Sequence, residues 1–194
     1  MATVKYRLFT AGNQVCVMNK TKKLVMTALL TALTCVATMV IRVPTPTGGY
    51  VNLGDAVVLL SAFLLGPVLG AVAGGVGAAM ADFLSGCMAW VPATLIIKGC
   101  MGLVAGLLYQ KLGKKGVGVF LSGLPAELIM VVGYFGFEAA LLGQGMGAAV
   151  GIPGNLIQAG FGLAAGTLLT LALRGKGGAG SPFRTPTTSD GGHR

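Results

Sequence analysis

Charged residues are scarce in this sequence of 194 residues: Asp, Glu, Lys and Arg together make up 10% of it, and only five residues are acidic. Because a soluble domain carries about 25% charged residues, water is not the main solvent of this chain. The single histidine is His193, and the four cysteines form no Cys-x-x-Cys pair and no zinc-like spacing with it. The sequence therefore predicts neither a metal centre nor a disulfide framework.

Catalytic and nucleotide-binding motifs are missing as well. The chain has no GxxxxGK[ST] phosphate-binding loop, no GxSxG nucleophile elbow and no HExxH pair. Its net charge is +9, but the basic residues lie at the ends of apolar segments and in the tails, without interleaved aromatic residues. We therefore expect no enzymatic activity, no cofactor and no nucleic-acid partner, and we interpret the basic residues as membrane-topology signals.

Long apolar segments dominate what is present. Apolar residues make up 54% of the chain, and its mean hydropathy is +0.82. The segments cover 24–41, 53–85, 92–110, 116–142 and 146–173, and the second is interrupted at Gly66-Pro67. Most are long enough to cross a hydrocarbon core of about 30 Å. Dividing the second segment into two helices places the lysines at 20–23 and 111–115 on one side of the membrane, as the positive-inside rule requires.

The sequence thus predicts an all-α integral membrane bundle of six transmembrane helices over residues 21–174, with both termini in the cytoplasm of a bacterial cell and the chain in its plasma membrane. We expect the second helix to be short and not to cross fully. Residues 1–20 and 175–194 are predicted to be disordered tails. Met18 is followed by a polar, lysine-rich stretch, so the first seventeen residues are also interpreted as an over-extended gene start.

Polar side chains at membrane depth are the candidate site residues, because burying an ionisable group there costs about 2.5 to 3.5 kcal/mol. Most fall in the predicted outer half, on faces that also carry small residues. The candidates for ligand contact are Lys98, Tyr134, Glu138, Asn155, Gln158, Asp82 and Trp90, with Glu127 deeper in the membrane.

Each candidate has a structural alternative. Lys98, Glu138, Asn155 and Gln158 could instead form structural hydrogen bonds or ion pairs. Trp90 could be an interfacial anchor rather than a stacking surface. Asp55, just after Gly54, is expected to cap the second helix.

Several short motifs, taken in order, resemble the substrate-binding S component of energy-coupling factor (ECF) transporters. The likeness covers residues 20–174, and it is greatest to the branch that includes riboflavin and hydroxymethylpyrimidine binders. The motifs are Leu53-Gly54-Asp55, Leu65-Gly66-Pro67, Ala81-Asp82 with Ser85-Gly86, Pro92-Ala93-Thr94 with Ile97-Lys98-Gly99, and Pro153-Gly154-Asn155 with Gln158.

This resemblance implies a subunit that binds a water-soluble vitamin from outside and docks onto a transmembrane T component with two ATP-binding cassette ATPases. Ala28 and Ala32 match the family's AxxxA docking pattern, and residues 43–52 would form a gate over the ligand. We expect a small pyrimidine or pyridine ring, such as hydroxymethylpyrimidine or pyridoxine, ahead of riboflavin. Glu138 and Asn155 would supply acceptor and amide contacts to it.

Two other classes compete with this interpretation. A stand-alone channel or secondary transporter would show inverted repeats or a continuous polar path, whereas the inner half of this chain is nearly bare of polar side chains. A membrane enzyme acting on lipid would cluster carboxylates or histidines at one interface. Asp55 and Asp82 are isolated in the sequence and do not form such a cluster.

Overall fold

Six α-helices and one β-hairpin make up residues 20–113 and 115–175, which are the residues that the computed structural model describes. The elements are α1 (Lys20–Val40), β1 (Arg42–Pro44), β2 (Tyr50–Asn52), α2 (Gly54–Leu65), α3 (Pro67–Leu84), α4 (Val91–Leu112), α5 (Gly116–Gly136), a π-helical segment (Phe137–Leu141), a 3-10 helix (Gly145–Gly151) and α6 (Ile152–Gly175). The prediction of six helices is confirmed. The predicted tails lie outside the described residues, except that Lys20 and Gly175 are helical.

Five of these helices are long and apolar enough to cross a membrane: α1, α3, α4, α5 with the π-helical segment, and α6 with the 3-10 helix before it. The exception is α2, whose 12 residues extend for about 18 Å, well short of a hydrocarbon core of about 30 Å. The prediction that the second helix is short is therefore confirmed. Large apolar side chains such as Val68, Ile96 and Val132 are exposed on the outside of the bundle, as expected of a surface that faces lipid.

The short helix α2 forms the centre of the bundle. Its residues from Gly54 to Phe63 are all buried, and it packs against α1, α3, α4 and α6. Because neighbouring helices surround it, α2 can be apolar on every face, with no polar face for water.

Small residues on α3 allow α2 and α3 to pack closely. Gly66 adopts a φ of +87° in the tight turn between the two helices, a conformation that favours glycine. One turn further on, Gly70 lies directly against the backbone of Ala62, and Gly74 lies against the side chain of Val58. The small residues Gly70 and Gly74 thus form a packing surface of α3 for α2.

The predicted all-α bundle is confirmed, with one short addition, a β-hairpin at residues 42–52. Its two strands are antiparallel, with Arg42 opposite Asn52 and Pro44 opposite Tyr50. The turn is closed by a hydrogen bond of 3.0 Å from the Gly48 N–H to the Thr45 carbonyl. The segment predicted to be a gate loop is therefore an ordered hairpin that precedes α2.

The hairpin marks one end of the bundle, which we call the hairpin end. Gly48 lies against the ring of Trp90, in the turn between α3 and α4, so this turn belongs to the same end. The α2–α3 turn lies at the opposite end, where Gly66 approaches the Gln110 side chain near the end of α4. Lys20, at the start of α1, belongs to that opposite end too.

Candidate functional site

The hairpin is attached to the helices beneath it by polar contacts from its turn and its second strand. These contacts reach α3, the π-helical segment and α6, which are far apart in the sequence. The hydrogen bonds run from Thr47 Oγ1 to Glu138 Oε1 at 3.1 Å, from the Tyr50 hydroxyl to Asp82 Oδ1, and from the Asn52 N–H to Gln158 Oε1 at 2.6 Å. The hairpin thus forms a lid over the polar interior at this end.

Tyr50 is held in the lid as a neutral donor. Burial, together with the hydrogen bond to Asp82, raises the pKa of the Tyr50 phenol above its ordinary value. The guanidinium of Arg42 lies 5.4 Å from the centroid of the Tyr50 ring, within the range of a cation–π contact. The phenol therefore keeps its proton over the ordinary pH range and donates a hydrogen bond to Asp82.

Beneath the tip of the lid, Trp90 and Glu138 face each other. Neither Trp90 Nε1 nor Glu138 Oε2 has a hydrogen-bond partner among the described residues, although both atoms are buried. A side-chain atom at Gly49 would lie 3.3 Å from Trp90 Nε1 and 3.5 Å from Glu138 Oε1, so the indole and the carboxyl group adjoin the same point of the hairpin. Buried donors and acceptors are nearly always paired in native proteins, so this unpaired couple has hydrogen-bonding capacity that the described residues do not use.

A second polar group lies deeper in the bundle, around the ion pair of Lys98 with Asp55. Asp55 Oδ2 also accepts a hydrogen bond of 2.7 Å from Gln158 Nε2. The ammonium group of Lys98 lies 5.6 Å from the centroid of the Tyr134 ring, and the Tyr134 hydroxyl shares a hydrogen bond of 2.9 Å with Thr94. Gln158 therefore joins the deep ion pair to the lid, because its other amide atom accepts from β2.

The expectation that Asp55 caps the second helix is wrong. The residue that precedes α2 is Leu53, and no side chain forms a cap hydrogen bond from that position. Instead the Asn52 side chain accepts a hydrogen bond of 2.9 Å from the Gly54 N–H. Asp55 points inward because Lys98 and Gln158, on α4 and α6, supply charge and a donor there.

The predicted ligand-contact residues all lie toward the hairpin end. Lys98 and Gln158 meet in the deep ion-pair group, whereas Glu138 and Trp90 meet beneath the lid. Asp82 bonds the lid, and Asn155 is buried one turn before Gln158 on α6. Sequence reasoning missed Thr47, because single threonines in a Pro- and Gly-rich segment give no signal of a distant partner.

The predicted docking pair is on a different surface. Ala28 and Ala32 are exposed in the middle of α1. Leu29 and Leu33, each next in sequence to one of these alanines, are exposed as well, about 100° further around the helix. Over residues 20–113 and 115–175, no group of three or more His, Cys, Asp or Glu residues could hold a metal ion.

An all-helical membrane bundle with a lidded polar interior at one end is the architecture of a membrane-embedded binding subunit. The family model for the S component of the ECF-type riboflavin transporter matches residues 18–175. The chain therefore belongs to the family of ECF transporter S components. As in that family, it is a vitamin-binding subunit of a transporter and not an enzyme.

Similar proteins agree with this assignment. An uncharacterized protein in the gap 3' region of Pyrococcus woesei is 38% identical over 141 residues, which are 72% of this chain and 93% of that protein. The thiamine precursor transporter HmpT of Lactococcus lactis subsp. cremoris (strain MG1363) is 33% identical over 139 residues, covering 71% of this chain and 78% of HmpT.

A solved structure has the same fold. The S component for biotin from an ECF-type ABC transporter aligns with a TM-score of 0.54 and 20% sequence identity, covering 87% of this chain and all of that one. S components of ECF transporters work with a T component and ATPases. This family membership argues against the stand-alone channel and the lipid enzyme considered from the sequence.

Proposed function

We propose that this chain captures a small pyrimidine or pyridine vitamin precursor beneath the lid, for ATP-driven uptake by partner subunits. The observation that carries the proposal is the unpaired couple of Trp90 Nε1 and Glu138 Oε2. A ring that bears an amino or hydroxymethyl group next to a ring nitrogen offers both a donor for Glu138 and an acceptor for Trp90. HmpT, described as a thiamine precursor transporter, supports this class of ligand.

Asn155 and the lid would complete the ligand contacts. Asn155 is buried near the start of α6, and Gly154 beside it approaches Val51 of the lid. An amide there can donate to and accept from the same heterocycle. Lys98 and Gln158 would act beneath the ligand, because the polar atoms that they direct toward Asp55 are already bonded.

Riboflavin is the second candidate. The family model that matches residues 18–175 is that of the riboflavin S component, which supports a flavin. The aromatic side chains support the smaller ring. Trp90 is the only indole in the chain, so it offers one stacking surface, which suits a single ring better than the three fused rings of a flavin. Phe137 contacts Trp90 edge-on, with 6.5 Å between the ring centroids.

The orientation follows from the charges and belongs to the same proposal. The lysines at 20–23, 111 and 115 lie at the end opposite the lid, and the positive-inside rule assigns that end to the cytoplasm. The lid then faces outward, both termini are cytoplasmic, and the membrane is a bacterial plasma membrane. Ala28 and Ala32 would contact the T component, which joins the two ATPases.

Equilibrium binding to the purified chain in lipid nanodiscs tests the choice of ligand. We expect hydroxymethylpyrimidine to bind more tightly than pyridoxine, and riboflavin to bind weakly or not at all. Glu138→Gln should weaken binding by about 1.5 to 3 kcal/mol, the contribution of a hydrogen bond to a charged group. Glu127→Gln, the same change deeper on α5, is the matched control. Tight binding of riboflavin alone would overturn the proposal in favour of the second candidate.

A further inference from the structure

Glu127 is a buried carboxyl group that the binding site does not use. It lies in α5, only 2% of its surface is exposed, and no hydrogen-bond donor of the described residues reaches either of its oxygens. An ionised carboxylate without donors in an apolar enclosure is strongly unfavourable. The side chains around Glu127 must therefore determine whether its carboxyl group is protonated.

The neighbour that matters is Asp55. A side-chain atom at Gly162 would lie 2.7 Å from Asp55 Cβ and 2.7 Å from Glu127 Oε1, so both groups adjoin the same point on α6. The ammonium of Lys98, which pairs with Asp55 Oδ1, is the cation of this group. The described part of α6 has no titratable side chain facing them between Ile152 and Leu173.

The charges of Asp55, Lys98 and Glu127 balance when one of the two carboxyl groups is protonated. Asp55 is fully supplied as an anion, since Oδ1 pairs with Lys98 and Oδ2 accepts from Gln158. One ammonium balances one carboxylate, so a second ionised carboxylate would leave a net negative charge in the membrane interior. A neutral Glu127 removes that charge and gains an O–H donor directed at a carboxylate.

We propose that Glu127 is a proton-binding site: its carboxyl group is held neutral, donates a hydrogen bond to Asp55, and leaves the Asp55, Lys98 and Glu127 group without net charge. The proposal does not depend on which vitamin is bound. A monovalent cation is the other occupant that would restore neutrality. The proton fits better, because a metal cation needs several oxygen ligands and the described residues contain no group of three or more His, Cys, Asp or Glu side chains that could hold one.

Infrared difference spectroscopy of the full chain in lipid nanodiscs at neutral pH tests the proposal. The spectrum of wild type minus Glu127→Gln should contain the carbonyl stretch of a protonated carboxyl group, shifted in D2O, without the loss of carboxylate bands. The matched control, Glu138→Gln, should not remove that band. Carboxylate bands in the Glu127 difference spectrum would overturn the proposal, and bands that depend on sodium, with choline as the replacement, would identify a cation site instead.

A second variant keeps the test decisive if Glu127→Gln does not fold. Asp55→Asn removes the anion that pairs with Lys98, so Glu127 should release its proton to replace it. The carbonyl band of the protonated carboxyl should then disappear relative to wild type. Its persistence in Asp55→Asn would contradict the proposal that the charge balance of Asp55, Lys98 and Glu127 sets the protonation of Glu127.

Discussion

Thr47, at the tip of the hairpin, donates a hydrogen bond of 3.1 Å to Glu138 Oε1 in the π-helical segment, 91 residues further along the chain. This contact connects the lid to one of the residues expected to bind the ligand. Gln144 also holds Thr47 in place, because its side-chain amide donates a hydrogen bond of 2.9 Å to the Thr47 carbonyl. Movement of the lid tip therefore requires that Thr47 lose its contacts with Glu138 and Gln144.

Thr47→Val should accelerate ligand release. The variant keeps the shape of the side chain but removes the donor to Glu138, a loss of about 1 kcal/mol and hence about fivefold in the dissociation rate constant. Stopped-flow displacement of the bound vitamin precursor measures it. Thr31→Val is the control, since Thr31 bonds only its own helix in α1. Equal dissociation rates for wild type and Thr47→Val would mean that the lid does not retain the ligand.

Lys98→Met should destabilise the bundle strongly. Removing one partner of a buried ion pair typically costs about 3 to 5 kcal/mol, because the remaining charge is unpaired. The thermal midpoint of the purified protein should therefore fall. The double variant Lys98→Met/Asp55→Asn keeps the hydrogen bond with Gln158 and removes the orphaned charge, so much of the stability should return. A double variant as unstable as Lys98→Met would contradict the pairing with Asp55.

Tyr50 should make the stability of the lid depend on pH in the alkaline range. Its pKa is raised in the folded protein, so above the ordinary tyrosine pKa of about 10 the unfolded chain releases this proton while the folded chain keeps it. The unfolded state then binds fewer protons, and the free energy of unfolding falls as the pH rises. The thermal midpoint of wild type should approach that of Tyr50→Phe between about pH 9 and pH 11. A constant difference between the two proteins would contradict a raised pKa.

Ala28→Trp should abolish assembly with the T component and leave vitamin binding intact. A large ring at an exposed small-residue position separates two helices that would otherwise pack closely. Co-purification with the T component and ATPases measures assembly. Leu33→Trp, which is exposed on a different side of α1, is the matched control and should assemble normally. Assembly of Ala28→Trp at the wild-type level would exclude this face as the docking surface.

The helices could be predicted because each apolar segment carries its own signal. Length, the break at Gly66-Pro67 and the distribution of lysines were sufficient to divide the chain into six helices with a short second one. The hairpin was missed because its strands are only three residues each, and the Pro- and Gly-rich turn between them reads equally well as a loop.

The sequence gives much less information about which side chains pair with each other. Asp55 and Lys98 are 43 residues apart, and only the three-dimensional packing of α2 against α4 reveals that they meet. Asp55 was assigned to capping because an acidic residue at a helix start normally interacts with free backbone N–H groups. Tertiary contacts with Lys98 and Gln158 prevailed here, since a charge at the centre of a bundle needs a partner more than the helix needs a cap.

Mass spectrometry of the small molecules released when the natively purified protein is denatured tests whether the lidded site holds a vitamin precursor. We predict one precursor with a pyrimidine or pyridine ring, in stoichiometric amount from wild type and depleted from Glu138→Gln. A protein that releases no such compound, and whose thermal midpoint does not change with any member of a vitamin panel, would contradict the assignment of the lidded site as a vitamin-binding site.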